Sequence, residues 1–146
     1  MFSRKGFTIL ELLIVIAVIG ILVGIALPRF KGMQDEGNIA RAKGELRMLQ
    51  TACESYAIHS TGNLPPATLD LVQTASPQIA PSVIPKDPFG GADYGYAKSG
   101  VWFIVWSKGP AGDGAAAISS AGAASETTDG ASCIYVTNGS PVDTTP

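Results

Sequence analysis

The feature that most constrains the fold is an apolar run near the N-terminus, residues 7–27, in which only Thr8 and Glu11 are polar. A helix of that length spans roughly 30 Å, which matches the hydrocarbon core of a bilayer. Arg4 and Lys5 precede the run, and a long polar region follows it. The positive-inside rule therefore predicts a single membrane-spanning helix with its N-terminus in the cytoplasm and the rest of the chain outside.

Glu11 is the residue that an ordinary membrane span does not explain. One interpretation is a cleaved secretory signal, with Gly-Ile-Ala at residues 24–26 as the cleavage site, and another is a plain anchor. Both must carry a carboxylate whose insertion costs about 2.5 to 3.5 kcal/mol at mid-membrane. An ionisable residue in such a run is functional by default and has a partner, yet this helix offers no cation. The alternative is a carboxylate that snorkels to the membrane surface.

A second helical segment follows the apolar run. Pro28 cannot donate a helix hydrogen bond and is predicted to kink or loosen the helix locally. Beyond it, apolar residues recur every three or four positions, which predicts an amphipathic helix over residues 28–60. We expect this apolar stripe to cover the chain's own sheet; it consists of Ile39, Ala42, Leu46, Leu49, Cys53 and Tyr56.

The first part of residues 61–146 carries one short helix and a hairpin. Residues 67–75 are predicted to be helical, with Thr68 as the cap. Residues 93–98 and 101–107 are separated by Ser-Gly, which indicates two strands joined by a tight turn. The second strand, VWFIVW, is apolar on both alternate faces, which is typical of a strand buried on both sides.

The end of the chain is predicted to hold one more strand after a long loop. Residues 109–132 are dominated by Ala, Gly and Ser with no period of two or 3.6, which indicates a surface loop. Residues 133–137, CIYVT, have strand composition. The predicted fold class is α+β: a long N-terminal helix, apolar in its first half and amphipathic in its second, packed on a small C-terminal antiparallel sheet.

Composition argues against several classes of function. The net charge of −2 and the scattered basic residues give no surface for nucleic acid, and two cysteines with one histidine are too few for a zinc site. A catalytic pair of His59 with Cys53 or with Asp70 is disfavoured. Cys53 and His59 lie six residues apart on one helix and therefore point to different sides of it. We therefore expect a structural protein and not an enzyme.

The residues around Glu11 carry a family resemblance. Lys-Gly-Phe-Thr-Ile-Leu-Glu at residues 5–11, followed by an apolar helix, resembles the processing motif of type IV pilins and of the pseudopilins of type II secretion. The resemblance implies that residues 1–6 are a leader that a prepilin peptidase cuts between Gly6 and Phe7. It also implies N-methylation of Phe7 and, in the filament, a pairing of Glu11 with the N-terminal amine of a neighbouring subunit.

Two further stretches indicate a branch of that family. PKDPFGGADYGY (residues 85–96) and WSKGPAGDG (residues 106–114) are similar to segments of the major pseudopilin of type II secretion. That resemblance implies a bacterial inner-membrane protein that assembles with itself and with minor pseudopilins into a periplasmic filament driving protein export. An assembly platform and a cytoplasmic ATPase are implied partners, since this chain has no phosphate-binding loop. The alternative is a pilin of a surface type IV pilus for adhesion, motility or DNA uptake.

The same resemblance raises the question of calcium. Major pseudopilins hold this ion in their C-terminal loop with acidic side chains just before an Ile-Tyr-Val-like strand. Here Ser132 and Cys133 stand where the acidic pair is expected, which argues against the site. Asp113, Glu126 and Asp129 are the remaining candidate ligands, and the alternative is that all three are solvated.

A disulfide between Cys53 and Cys133 is a hypothesis for what holds that loop instead. Cys53 lies on the apolar stripe and Cys133 begins the last predicted strand, so the two meet if that strand packs on the helix in an oxidising compartment. Closing a loop of about 80 residues contributes about 4.5 kcal/mol in the chain-entropy description. The alternative is two separate buried thiols.

Overall fold

The computed structural model describes residues 6–74, 82–127 and 133–141. The chain divides into two compact units, Met1–Glu36 and Gly37–Pro146. The helices are α1 (Ile9–His59) and α2 (Asp70–Gln73), and the strands are β1 (Gly95–Ser99), β2 (Trp102–Ser107), β3 (Ala116–Ile118), β4 (Ala124–Glu126) and β5 (Ile134–Thr137). This arrangement confirms the predicted α+β class with a long N-terminal helix.

In the first unit, α1 presents large apolar side chains to the outside. Phe7 is 85% exposed, and even Val23 is 47% exposed. Pro28 does not end the helix, because α1 is helical through that position and continues to His59. The described part of this unit therefore carries a large exposed apolar surface, which is typical of a membrane or protein interaction site.

In the second unit, the predicted apolar stripe of α1 faces the core. Ala42, Leu46, Leu49 and Cys53 are each at most 1% exposed, and Ile39 is partly buried against the same cluster. The three-to-four residue spacing places these side chains on one side of the helix. The amphipathic interpretation of this segment is confirmed.

The larger sheet has the order β1-β2-β5 and is antiparallel throughout. Ser99 pairs with Trp102, so the turn between β1 and β2 consists of Gly100 and Val101. The expected turn at Ser99 and Gly100 was therefore wrong by one residue. Gly100 has φ +61°, a conformation that glycine adopts without a steric penalty at the first position of a tight hairpin turn.

The central strand β2 is covered on both faces, as its sequence predicted. Phe103 and Val105 belong to the cluster built on α1, and so do Ile134 and Val136 of β5. The alternate residues face the other way and form a second cluster, which contains Ile104, Ala116, Cys133 and Tyr135, with Trp106 and Ile118 packed against it.

The segment predicted to be a loop contains a second, smaller sheet. β3 and β4 pair antiparallel, with Ala117 opposite Ser125, and the hairpin covers the outer face of β2. Its strands have three residues each and are rich in alanine, so they show no alternation that a sequence can reveal. Gly122 lies against Trp102: a Cβ there would lie 2.7 Å from the indole. The loop prediction for this region was wrong.

The short helix α2 also differs from expectation. It spans only Asp70–Gln73, its N-cap residue is Leu69, and no side chain caps it. The predicted cap Thr68 contributes its backbone carbonyl, which accepts from the Leu71 amide at 3.3 Å. Leu69 and Val72 are buried, which explains why this turn is held by packing without a cap.

Side-chain hydrogen bonds connect α1 and the β1 strand to the rest of the second unit. The Tyr94 hydroxyl donates to Glu45 Oε2 at 2.5 Å, and burial raises the pKa of this phenol. Gln50 Nε2 donates to the carbonyl of Thr137 at 3.1 Å. The Tyr96 hydroxyl donates to the Pro66 carbonyl at 2.6 Å. These bonds satisfy polar groups that packing would otherwise leave without water.

Candidate functional site

The first site is the start of α1, where Thr8 and Glu11 bond reciprocally. The Thr8 backbone N–H and its hydroxyl both donate to Glu11 Oε2 at 3.0 Å, and Thr8 Oγ1 accepts from the Glu11 N–H at 3.2 Å. Thr8 directly precedes the first helical residue, and Glu11 is the third residue of the helix. This is a capping box, which satisfies two amides that the helix itself leaves without acceptors.

The sequence contained the signal for this cap. Thr-x-x-Glu ahead of an apolar run is the pattern of a capping box, so Thr8 could have been predicted as a partner of Glu11 from the sequence. The carboxylate also lies in the first turn, where negative charge interacts favourably with the helix dipole. Part of the cost of placing a carboxylate in this apolar run is therefore offset within the subunit.

The apolar part of α1 is long and apolar enough to cross a membrane, judged by length and composition. Two glycines on it, Gly20 and Gly24, are spaced as Gly-x-x-x-Gly, and a Cβ on either would meet nothing within 4 Å in the described chain. No packing among the described residues therefore requires glycine at these two positions. Small residues at this spacing permit the close approach of another helix.

A second polar cluster lies in the globular unit around Asp87. This carboxylate is 1% exposed and accepts three hydrogen bonds: Oδ1 from the Phe89 amide at 3.0 Å and from Ser107 Oγ at 2.8 Å, and Oδ2 from the Lys108 amide at 2.8 Å. A buried carboxylate is stable only when donors surround it in this way. The bonds from Ser107 and Lys108 join the PKDPFGG stretch to the WSKGPAGDG stretch, a contact that the sequence did not predict.

The two cysteines are not within disulfide distance, which corrects the hypothesis that they are bonded. Cys53 belongs to the cluster on α1, whereas Cys133 belongs to the cluster on the opposite face of the sheet. The reason is the two-residue period of a strand: Ile134 faces the helix, so Cys133 must face away from it. Burial raises the pKa of each cysteine to about 12, as expected for separate buried thiols.

The candidate calcium ligands are not brought together by the described residues. Asp113 and Glu126 are both exposed, and Asp129 lies outside the described residues. Within residues 6–74, 82–127 and 133–141, no group of three His, Cys, Asp or Glu side chains is placed to hold a metal ion. Cys133, which stands where an acidic ligand was expected, is 1% exposed and supplies a sulfur that calcium does not favour.

Cys53 and the two candidate bases, His59 and Asp70, differ in their exposure to solvent. Cys53 is fully buried, whereas His59 is exposed at the end of α1, with Nδ1 2.8 Å from the Ser55 carbonyl. Asp70 is exposed on α2. This arrangement offers no accessible nucleophile beside a base.

The comparisons with known proteins agree with the N-terminal site. Residues 1–27 match the family described as the prokaryotic N-terminal methylation motif. Fimbrial protein EcpB of Eikenella corrodens is 46% identical over 65 residues, 44% of this chain and 40% of that protein. A fimbrial protein of Pseudomonas aeruginosa is 40% identical over 76 residues, 52% of this chain and 44% of that protein. The chain thus spans less than half the length of these two relatives.

A third relative is matched over a larger share of its own length than these two. The type II secretion system core protein G of Klebsiella michiganensis is 28% identical over 105 residues, 63% of this chain and 72% of that protein. No solved structure matches the chain. These relatives are structural subunits and not enzymes. In its methylation motif, in its relatives and in its long helix on a small antiparallel sheet, the chain is similar to type IV pilin-like subunits.

Proposed function

We propose that this chain is a prepilin that is cut between Gly6 and Phe7, methylated on the new N-terminus and assembled through α1 into a filament. The observation that carries the proposal is the carboxylate of Glu11 at the head of an exposed apolar helix. Glu11 Oε2 is engaged by Thr8, but a carboxylate has about four acceptor positions, so capacity remains for an ammonium. The N-terminal amine of a neighbouring subunit is the cation that assembly supplies.

The exposed surface of α1 supports assembly by bundling of helices. Before assembly, lipid covers the apolar side chains of residues 7–27, and in a filament neighbouring copies cover them. Gly20 and Gly24 have no role in packing within the described subunit, so they are available to let two helices approach closely. Pro28 lies just after this apolar segment, and we infer that the helix loosens there as the filament forms.

We further propose that the filament is the pseudopilus of a type II secretion system. The match to core protein G extends over 63% of the chain, compared with 44% and 52% for the two fimbrial proteins. The two stretches that resemble a major pseudopilin are also joined by Asp87 into one structural unit. Both observations favour the pseudopilus.

The proposed setting is the inner membrane of a bacterium, with the N-terminus in the cytoplasm and the globular part in the periplasm. A prepilin peptidase, an assembly platform and a cytoplasmic ATPase act on the subunit, and minor pseudopilins join the filament. The growing periplasmic filament pushes folded proteins towards an outer-membrane channel. Arg4 and Lys5 set this orientation.

A surface type IV pilus is the second candidate function. The higher identities to the two fimbrial proteins, 46% and 40%, favour it, although they cover a shorter part of the chain. Deletion of the gene separates the two functions. We expect loss of protein export with no loss of surface filaments; the reverse pattern would establish the pilus.

Mass analysis of the mature N-terminus tests the processing step. We expect a chain that begins with N-methylated Phe7 when the prepilin peptidase is present and one that begins at Met1 when the peptidase gene is deleted. A mature chain that starts after Ala26 would instead identify residues 7–26 as part of a cleaved secretory signal. Either that start or an unprocessed chain in wild-type cells contradicts the proposal.

A further inference from the structure

The segment that follows β2 is held by the carboxylate of Asp87. Asp87 Oδ1 accepts from the Ser107 hydroxyl, and Oδ2 accepts from the Lys108 amide, each at 2.8 Å. Oδ1 also accepts from the Phe89 amide at 3.0 Å, which fixes the turn that carries the carboxylate. The buried Asp87 side chain thus bonds both to its own turn, at Phe89, and to the segment after β2, at Ser107 and Lys108.

Residues 107–114 are also closed by bonds of their own. Ser107 Oγ accepts from the Gly109 amide at 3.1 Å, and the Lys108 carbonyl accepts from the Gly114 amide at 3.0 Å. A Cβ on Gly114 would lie 2.6 Å from the Lys108 carbonyl oxygen and 3.0 Å from Cys133 Cα. The backbone at Gly114 therefore packs directly on the start of β5, with no space for a side chain.

The side chains in this region do not supply the oxygen ligands that calcium, the ion implied by the family resemblance, requires. Calcium requires six to eight oxygen ligands. Asp113 and Glu126 are exposed, and Cys133 turns its sulfur towards the Ser107 carbonyl at 3.6 Å. Among residues 6–74, 82–127 and 133–141, the acidic side chains form no metal cluster.

We propose that Asp87 is the latch that holds residues 107–114 on the sheet in this chain, and that it does so independently of calcium. A carboxylate buried without its donors is strongly unfavourable, and so are buried amides without an acceptor. Moving the segment away from Asp87 breaks the bonds of the carboxylate and of its donors at the same time. The closed arrangement is therefore favoured without an ion.

Calcium titration of the full-length protein in detergent micelles tests whether residues 107–114 are held independently of calcium. We expect the same melting temperature in excess CaCl2 and in excess EGTA. An ion bound at about 100 times its Kd would raise the melting temperature by roughly 10 °C or more. A rise of that kind overturns the proposal.

Hydrogen exchange of the same preparation tests whether Asp87 holds residues 107–114. Asp87→Asn replaces one acceptor oxygen with an amide donor, and we expect the Lys108 and Gly109 amides to exchange at least about tenfold faster. Asp70→Asn, the same change at an exposed carboxylate, is the matched control and should leave this exchange unchanged.

A second variant keeps the test informative if Asp87→Asn fails to fold. Ser107→Ala removes one donor to Asp87 and the acceptor of the Gly109 amide, while leaving the Lys108 bond in place. We expect faster exchange at Gly109 than at Lys108 in this variant. Wild-type exchange at Gly109 would mean that Asp87 and Ser107 do not hold the segment.

Discussion

Gly95 of β1 lies directly opposite Trp106 of β2, and the indole of Trp106 covers the glycine so closely that a Cβ there would be 2.0 Å from its Cε2 atom. The Trp106 ring thus lies across β1 and fills the space that a side chain at Gly95 would occupy. This contact helps to close the outer face of the sheet, where Trp106 packs against Ile104 and Tyr135.

Gly95→Ala is therefore expected to destabilise the globular unit. The new methyl group must displace the indole, and overpacking of this kind costs about 1 to 3 kcal/mol. Denaturant unfolding of the full-length protein in micelles measures the change. Gly44→Ala on α1 is the matched control, because a Cβ there meets nothing within 4 Å and alanine favours a helix by about 1 kcal/mol over glycine. Equal effects of the two substitutions would exclude the contact as the cause.

Replacing Glu11 separates its two roles, capping and charge. Glu11→Gln retains a side chain that completes a capping box but removes the charge, whereas Glu11→Ala removes both. We expect both variants to insert in the membrane and to be processed, and both to give few filaments, because neither attracts an N-terminal amine. The measurement is the amount of chemically cross-linked multimers of this subunit recovered from the cell envelope. If Glu11→Gln assembled as well as wild type, the cap and not the charge would be what assembly requires.

The cysteines are expected to react only after unfolding. Cys53 is 0% and Cys133 is 1% exposed, and burial raises the pKa of each to about 12, so little thiolate forms at neutral pH. A maleimide reagent should label neither cysteine in the folded protein and both in denatured, unreduced protein. Denatured protein that resisted labelling until a reductant was added would restore the disulfide hypothesis.

Stability is expected to fall at alkaline pH. The two thiols have an ordinary pKa of 9.0 and a folded-state pKa of about 12, so the unfolded chain loses these protons first. Their contribution is therefore complete below pH 9 and is lost as the pH rises towards 12. Burial also raises the pKa of Tyr94 and Tyr96, which extends the same trend. Urea midpoints at pH 7, 9 and 11 measure it, and a constant midpoint would contradict it.

Patterns that depend on near neighbours in the chain were sufficient for much of the fold. The stripe from Ile39 to Cys53 predicted the buried face of α1, since helical spacing alone brings those side chains together. Tyr56, the last residue of the predicted stripe, is only partly buried and lies outside this cluster. VWFIVW predicted a strand buried on both faces, because its two alternate faces are both apolar. The resemblance around Glu11 likewise led to the methylation motif, which lies within residues 1–27.

The remaining features depend on residues that are distant in the chain. The β3–β4 hairpin was missed because its three-residue strands, AAI and ASE, are too short to show alternation. It forms where the indole of Trp102 gives Gly122 a surface to pack on. Cys133 was assigned the wrong face because its direction follows from how β5 pairs with β2, which the sequence does not state.

The sequence by itself determined the long helix, its apolar and amphipathic halves, and the processing motif, because each is written in the spacing of adjacent residues. Only the tertiary structure decided that Asp87 is buried, since its partners Ser107 and Lys108 lie 20 and 21 residues away. The physical reason is that a carboxylate can leave water only where the fold brings donors to it.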